Sequence, residues 1–122
     1  VEQMLKLFNH DAFSGSSKNS TWLCPTYSLL AEDVDYEKYW RGPVWINMNW
    51  MLYHGLLNYD FEKEAEKIRS QSLELLSKYG FFEYFDPRKS VEKEAGYGTN
   101  QFSWSAALCI DFLKREFMFV ED

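Results

Sequence analysis

Glu83 sits among Phe81, Phe82, Tyr84 and Phe85, a setting too apolar for an ordinary surface acid. Burial among rings favours the neutral form of a carboxyl group unless a cation or hydrogen bonds hold the charge. With a partner such as Arg41, Glu83 could stay ionised, as a general base must. In an extended segment, however, successive side chains point to opposite sides, so Glu83 could equally face water while Phe82 and Tyr84 face a core. The residues alone favour that ordinary arrangement.

The second concentration of chemistry is the stretch Tyr39-Trp40-Arg41-Gly42-Pro43-Val44-Trp45-Ile46-Asn47-Met48-Asn49-Trp50. Indole faces stack on pyranose rings, and guanidinium and amide groups bond hydroxyls, so it reads as one wall of a sugar pocket. Aromatic core packing would account for the same residues. The other candidates carry less. His10 and His54 lie far apart and lack a serine or cysteine in a nucleophile context, which leaves no triad, and His54 reads as a hydrogen-bonded core residue. Glu32, Asp33 and Asp35 lack calcium-loop spacing and read as a solvated loop. The four methionines look like core filling. No glycine-rich phosphate loop is present, and no metal or cofactor is implied.

These residues need elements to position them. Gly42 tolerates backbone angles closed to other residues and Pro43 suits a first helical turn, which predicts a helix over Val44–Leu57, apolar on nearly every face and therefore buried. Asp60 is placed to cap a second helix, Phe61–Tyr79, which Gly80 would end. Its apolar positions Phe61, Ala65, Ile68, Leu75, Leu76 and Tyr79 recur near helical spacing, the mark of an outer, one-sided helix. Ser103 would cap a last helix from Trp104 to about Phe117, again apolar on most faces of its first half. The order is inner, outer, inner. Val1–Phe8 has helical spacing at Met4, Leu5 and Phe8 and reads as the end of a helix begun upstream, Asn9–Ser20 as loop, Trp22–Ser28 as extended, and Phe81–Phe85 as a short extended run.

At 122 residues the chain is one domain's worth. A formal net charge of −6 lacks the basic surplus that phosphate backbones require, which argues against a nucleic-acid partner. No apolar run is long enough to imply a membrane partner. Cys24 and Cys109 suit buried free thiols better than a disulfide framework. Asn19-Ser20-Thr21 matches a glycosylation pattern that is common by chance. The compartment stays unassigned, with the cytoplasm the favoured reading. Aromatic residues make up 19% of the chain, about twice the usual share, which fits an unusually aromatic core or an aromatic surface, the latter as a carbohydrate site or an interface alike.

Four pieces in order then carry a resemblance: Cys24-Pro25-Thr26-Tyr27-Ser28, Tyr39-Trp40-Arg41-Gly42-Pro43-Val44-Trp45 with Asn49, Glu83-Tyr84-Phe85-Asp86-Pro87, and Phe102-Ser103-Trp104-Ser105-Ala106-Ala107. Together they span roughly residues 22 to 108. The sequence resembles the C-terminal part of the catalytic domain in glycoside hydrolase family 63 and its relatives, which include processing α-glucosidases, mannosylglycerate hydrolases and, more distantly, trehalases.

The resemblance implies an all-α fold, a partial (α/α)6 toroid of roughly three to four helices with long loops, and inverting hydrolysis of an α-glycosidic bond. By motif position Glu83 matches the general base, which reverses the ordinary reading above. Trp40, Arg41, Trp45, Asn49 and Trp104 match residues lining the sugar pocket, and Arg41 could also keep Glu83 charged. The family's general acid, an upstream aspartate, has no counterpart here. Six helical hairpins need about three times this many residues, so residues 1–122 read as a C-terminal fragment of the catalytic domain. Its implied partners are an oligosaccharide or glycoside substrate and the remainder of the toroid, in cis or on a companion chain, with a homo-oligomer as another way to cover its inner helices. Alone it would be inactive. The competing reading is a non-catalytic helical module that binds saccharide or another chain through the same aromatic wall.

Overall fold

The computed structural model describes residues 1–15, 20–91 and 94–118, the last three by backbone alone. The class is all-α, and the architecture is a partial (α/α)6 toroid. Its elements are α1 (Glu2–Phe8), α2 (Asp11–Ser14), α3 (Ile46–Leu57), α4 (Glu62–Tyr79), β1 (Tyr84–Phe85), β2 (Gly96–Tyr97) and α5 (Ser103–Met118). α2 falls in a stretch that reads as loop. It forms because His10 Nδ1 accepts the Ala12 N–H at 3.1 Å, a side-chain cap on a single turn. Asn19 of the glycosylation pattern lies outside the described residues.

α3 starts two residues later than its sequence predicts. Val44 is spent on extended pairing: its N–H donates to Phe85 O at 2.8 Å and its carbonyl accepts from Phe85 N at 2.9 Å. The Pro43 carbonyl accepts from both the Thr26 N–H at 3.0 Å and the Thr26 hydroxyl at 2.8 Å. Bridges Pro25↔Val44 and Val44↔Phe85, continued by the register Phe85↔Gly96, align four extended segments beside the helices. Pro43 therefore belongs to this small floor and not to a helical turn. Gly42 is required just before it, since a Cβ there would stand 2.6 Å from the Asp35 carbonyl oxygen.

Helices α3 and α4 form a hairpin. Asp60 does not cap α4; its φ of 61° puts it in the turn, and Phe61 occupies the cap position without a side-chain bond. Gly80, φ 92°, ends the helix as its sequence predicts. α4 buries Ala65, Ile68, Ser72, Leu75 and Leu76 along one face. Full burial is worth roughly 1.5–3 kcal/mol for each large apolar side chain. Arg69, almost wholly buried, reaches across to α5, its Nε donating to Phe112 O at 2.8 Å. α3 is not covered on every side: Ile46, Tyr53 and Leu56 are interior, while Met51 is 58% exposed. The predicted all-round burial of α3 therefore fails within this chain. α5 begins at Ser103, so this serine lies inside the first turn instead of capping it. Among the described residues no helix is long and apolar enough to cross a membrane.

Candidate active site

Glu83 immediately precedes β1, and both of its carboxylate oxygens are held. The Tyr39 phenol donates to Oε1 at 3.0 Å, and the Thr99 N–H donates to Oε2 at 3.2 Å. The side chain is half-buried, neither sunk in a core nor free in solvent. Its expected guanidinium partner is engaged elsewhere. Arg41 Nη2 contacts the Asp33 carbonyl at 3.1 Å and the Asp33 carboxylate at 3.3 Å, in an exposed pair. The loop that carries Arg41 is folded so that Asp35 N–H bonds Arg41 O and Arg41 N–H bonds Lys38 O, both at 2.8 Å. That fold turns the guanidinium toward Asp33. A phenol and a backbone amide thus replace the expected ion pair at Glu83.

The aromatic residues form a column. Trp40 stacks on Trp45 with centroids 4.1 Å apart and planes 10° from parallel, Trp45 stacks on Tyr84 at 5.2 Å, and Tyr84 stacks on Tyr97 at 6.0 Å. Tyr39 stands perpendicular against the side of this column, with its ring 5.6 Å from Trp40, 4.8 Å from Trp45 and 5.2 Å from Tyr84. Such offset and edge-on contacts are the favoured aromatic geometries. The Trp45 indole N–H donates to the Tyr39 carbonyl at 2.8 Å, which fixes the tyrosine backbone as well. The phenol stays protonated above its ordinary value of 10.0, first because it donates to Glu83 and then because of burial. It remains a donor throughout the neutral range.

The individual predicted residues have distinct surroundings. Trp40 is 45% exposed and lines a groove of about 240 Å³ with Cys24, Pro25, Thr26, Met48 and Leu52. Trp45 is 3% exposed with a ring on each face, so neither face is open for a sugar to stack on. Trp104, 49% exposed, opens α5 beside the Glu83 segment, which is docked there by Phe102 N–H to Phe81 O and by the Ser105 hydroxyl to Phe82 O, both at 2.7 Å. Asn49 is fully buried and its amide is consumed by the frame. It accepts the Cys24 N–H at 2.8 Å and donates to Leu23 O and to the Ser72 hydroxyl. Asn49 therefore ties the extended segment to α3 and α4, and direct contact with a sugar would require it to leave those bonds. Cys24, next to it, has its thiol pushed up to about 12 by burial and is no nucleophile.

Sequence reasoning does not single out Tyr39, Gly98 or Thr99. Tyr39 lies inside the quoted motif, and its φ of 32°, uncommon outside glycine, is the kind of feature no pattern displays. Asp86, the other carboxylate of the same motif, is fully buried and gripped bidentately by Arg88, with Nη2 to Oδ2 at 2.7 Å and Nε to Oδ1 at 3.0 Å. It has no exposed oxygen for chemistry.

A half-buried carboxylate held beside a stacked aromatic wall, on a piece of an (α/α)6 ring, is the frame of a glycoside hydrolase domain. Residues 2–105 match the mannosylglycerate hydrolase MGH1-like glycoside hydrolase domain, and the chain belongs to that family. A mannosylglycerate hydrolase of Rubrobacter radiotolerans is 43% identical over 86 residues, which are 70% of this chain and 19% of that protein. The crystal structure of a GH63 mannosylglycerate hydrolase from Thermus thermophilus in complex with glucose superposes with a TM-score of 0.69 at 39% identity, over 77% of this chain and 23% of that one. The structure of that enzyme with Tris and D-glycerate gives the same TM-score and identity, over 22% of its chain. This chain thus spans about a fifth of the length of these relatives.

Proposed function

We propose that this chain is the base-bearing, C-terminal part of the catalytic domain of an inverting α-glycosidase. The observation that carries the reading is the state of Glu83: half-buried, beside the aromatic column, with each oxygen fixed by one donor. In the proposed reaction Glu83 takes a proton from a water molecule as that water attacks the anomeric carbon. The bond to the leaving oxygen breaks on the opposite face, and a carboxylic acid outside these residues protonates that oxygen. Completion of the site falls to the remainder of the toroid, in cis or on a companion chain.

Trp40 supplies the ring face on which the sugar stacks, and Trp104 forms the wall on the α5 side. Arg41 bonds hydroxyls while Asp33 orients it. Trp45 and Asn49 act in the pocket by support: the first holds Trp40 and Tyr39, and the second holds the Cys24 segment that lines the groove. The names of the relatives point to an α-mannoside or α-glucoside of a small hydroxy acid such as glycerate as the substrate class.

The test is the anomeric form of the sugar first released by the assembled enzyme from an α-glycoside, followed by proton NMR. Initial release of the β-anomer supports the reading. Initial release of the α-anomer would mean retention, and a lone water-activating base would not explain it.

A further inference from the structure

The strand opposite Glu83 carries a feature that motif reading passes over. Tyr84 pairs with Tyr97 and Phe85 with Gly96 in the antiparallel ladder, so one further step sets Glu83 across from Gly98. A Cβ at Gly98 would stand 2.5 Å from Glu83 Oε2 and 2.8 Å from Glu83 Cβ, closer than such atoms approach. The bare Gly98 backbone, φ 72°, lets the following residue turn inward, and its N–H, that of Thr99, reaches Oε2 at 3.2 Å. The space and the donor come from adjacent residues of one loop.

We propose that Gly98 and Thr99 are positioning residues for the catalytic carboxylate. The missing side chain at Gly98 leaves the space that Oε2 occupies, and the Thr99 amide fixes its direction. Tyr39 holds one oxygen and this loop holds the other, so the carboxylate plane is set at two points before substrate arrives. The inference rests on the reading of Glu83 as the base.

A glycine in the left-handed region could matter for backbone strain alone, and this chain contains the control. Gly80 has φ 92°, but a Cβ there would meet nothing within 4 Å. In the complete toroid that carries this chain, Gly98→Ala should lower kcat by roughly 10- to 100-fold, the range that misplacement of a reacting group by about 1 Å produces. KM should stay within about twofold, because ground-state binding is untouched. Gly80→Ala should keep the parent kcat. Thr99→Pro, which deletes the donor N–H and leaves Gly98 in place, is the second variant and should lose kcat in the same way.

Azide separates positioning from general damage. As an anionic nucleophile it needs no base: its nitrogen bonds to the anomeric carbon, the leaving oxygen departs with the proton of the general acid, and a glycosyl azide results. It should restore turnover to Gly98→Ala and add nothing to Gly80→Ala. Parent-like kcat in both Gly98→Ala and Thr99→Pro, a loss no greater than that of Gly80→Ala, or a loss that azide does not relieve would each overturn the proposal. If Glu83→Gln itself turns over at the parent rate, the base reading falls and the positioning role goes with it. If Glu83→Gln is inactive while Gly98→Ala is fully active, only the positioning role falls.

Discussion

The Tyr39 phenol and the Glu83 carboxylate meet at 3.0 Å although they lie 44 positions apart in the chain. Three stacked rings brace the tyrosine from the side, so the rigidity of the aromatic column is passed to the carboxylate through one hydrogen bond. The column therefore has work beyond offering a face to sugar. It orients the group proposed to activate water.

Removing that bond while keeping the ring should misalign the base without disturbing the wall. Tyr39→Phe is expected to lower kcat on the order of tenfold with little change in KM, as measured by steady-state kinetics on the assembled enzyme. The phenol's upward shift means that the contact is complete below pH 10 and is lost as pH rises through the raised value. Any alkaline loss of activity that comes from this donor should be absent in Tyr39→Phe.

Asn49 predicts a cost in stability. Asn49→Ala would strand the Cys24 N–H, the Leu23 carbonyl and the Ser72 hydroxyl in the interior. Unpaired buried groups cost roughly 1–3 kcal/mol each, partly relieved by relaxation, so a total loss of about 2–4 kcal/mol is expected in urea unfolding. A residue that served only to bind sugar would leave the unfolding midpoint unchanged and weaken affinity instead.

Between α3 and α5, the Trp50 indole N–H donates to Asp111 Oδ2 at 2.7 Å, with His54 Nε2 3.5 Å from the same oxygen. Asp111 is held below its ordinary value of 3.8, first by the Trp50 bond and then by His54. A depressed carboxyl contributes stability that is complete above the unfolded value and is lost as pH falls through the folded one. Trp50→Phe should therefore reduce stability near neutrality and shrink the further loss on acidification below about pH 4, seen as unfolding midpoints that converge with the parent's in acid.

Much of the helical frame is legible in the sequence because it rests on local signals. The one-sided pattern of α4 and the glycine at its end place that helix to within a residue. The Gly42-Pro43 signal starts α3 two residues too early because Val44 satisfies helix and strand alike, and its pairing with Phe85, 41 positions away, leaves no local trace. The residues proposed for the site emerge as a set, while the surroundings of each do not. Trp40 and Trp45 look equivalent in sequence, yet one faces a groove and the other is sandwiched. Charge alone pairs Arg41 with Glu83, whereas the turn through Asp35 and Lys38 delivers it to Asp33. Gly98 shows its purpose only when the strand opposite it is known.

The most direct test of the account is Glu83→Gln in the complete toroid, with turnover of an α-glycoside and calorimetric affinity for the sugar measured on the same preparation. Turnover should fall by several orders of magnitude while affinity stays within a few-fold, since the amide keeps the shape and loses the base. Hydrolysis at the parent rate by Glu83→Gln would contradict the account.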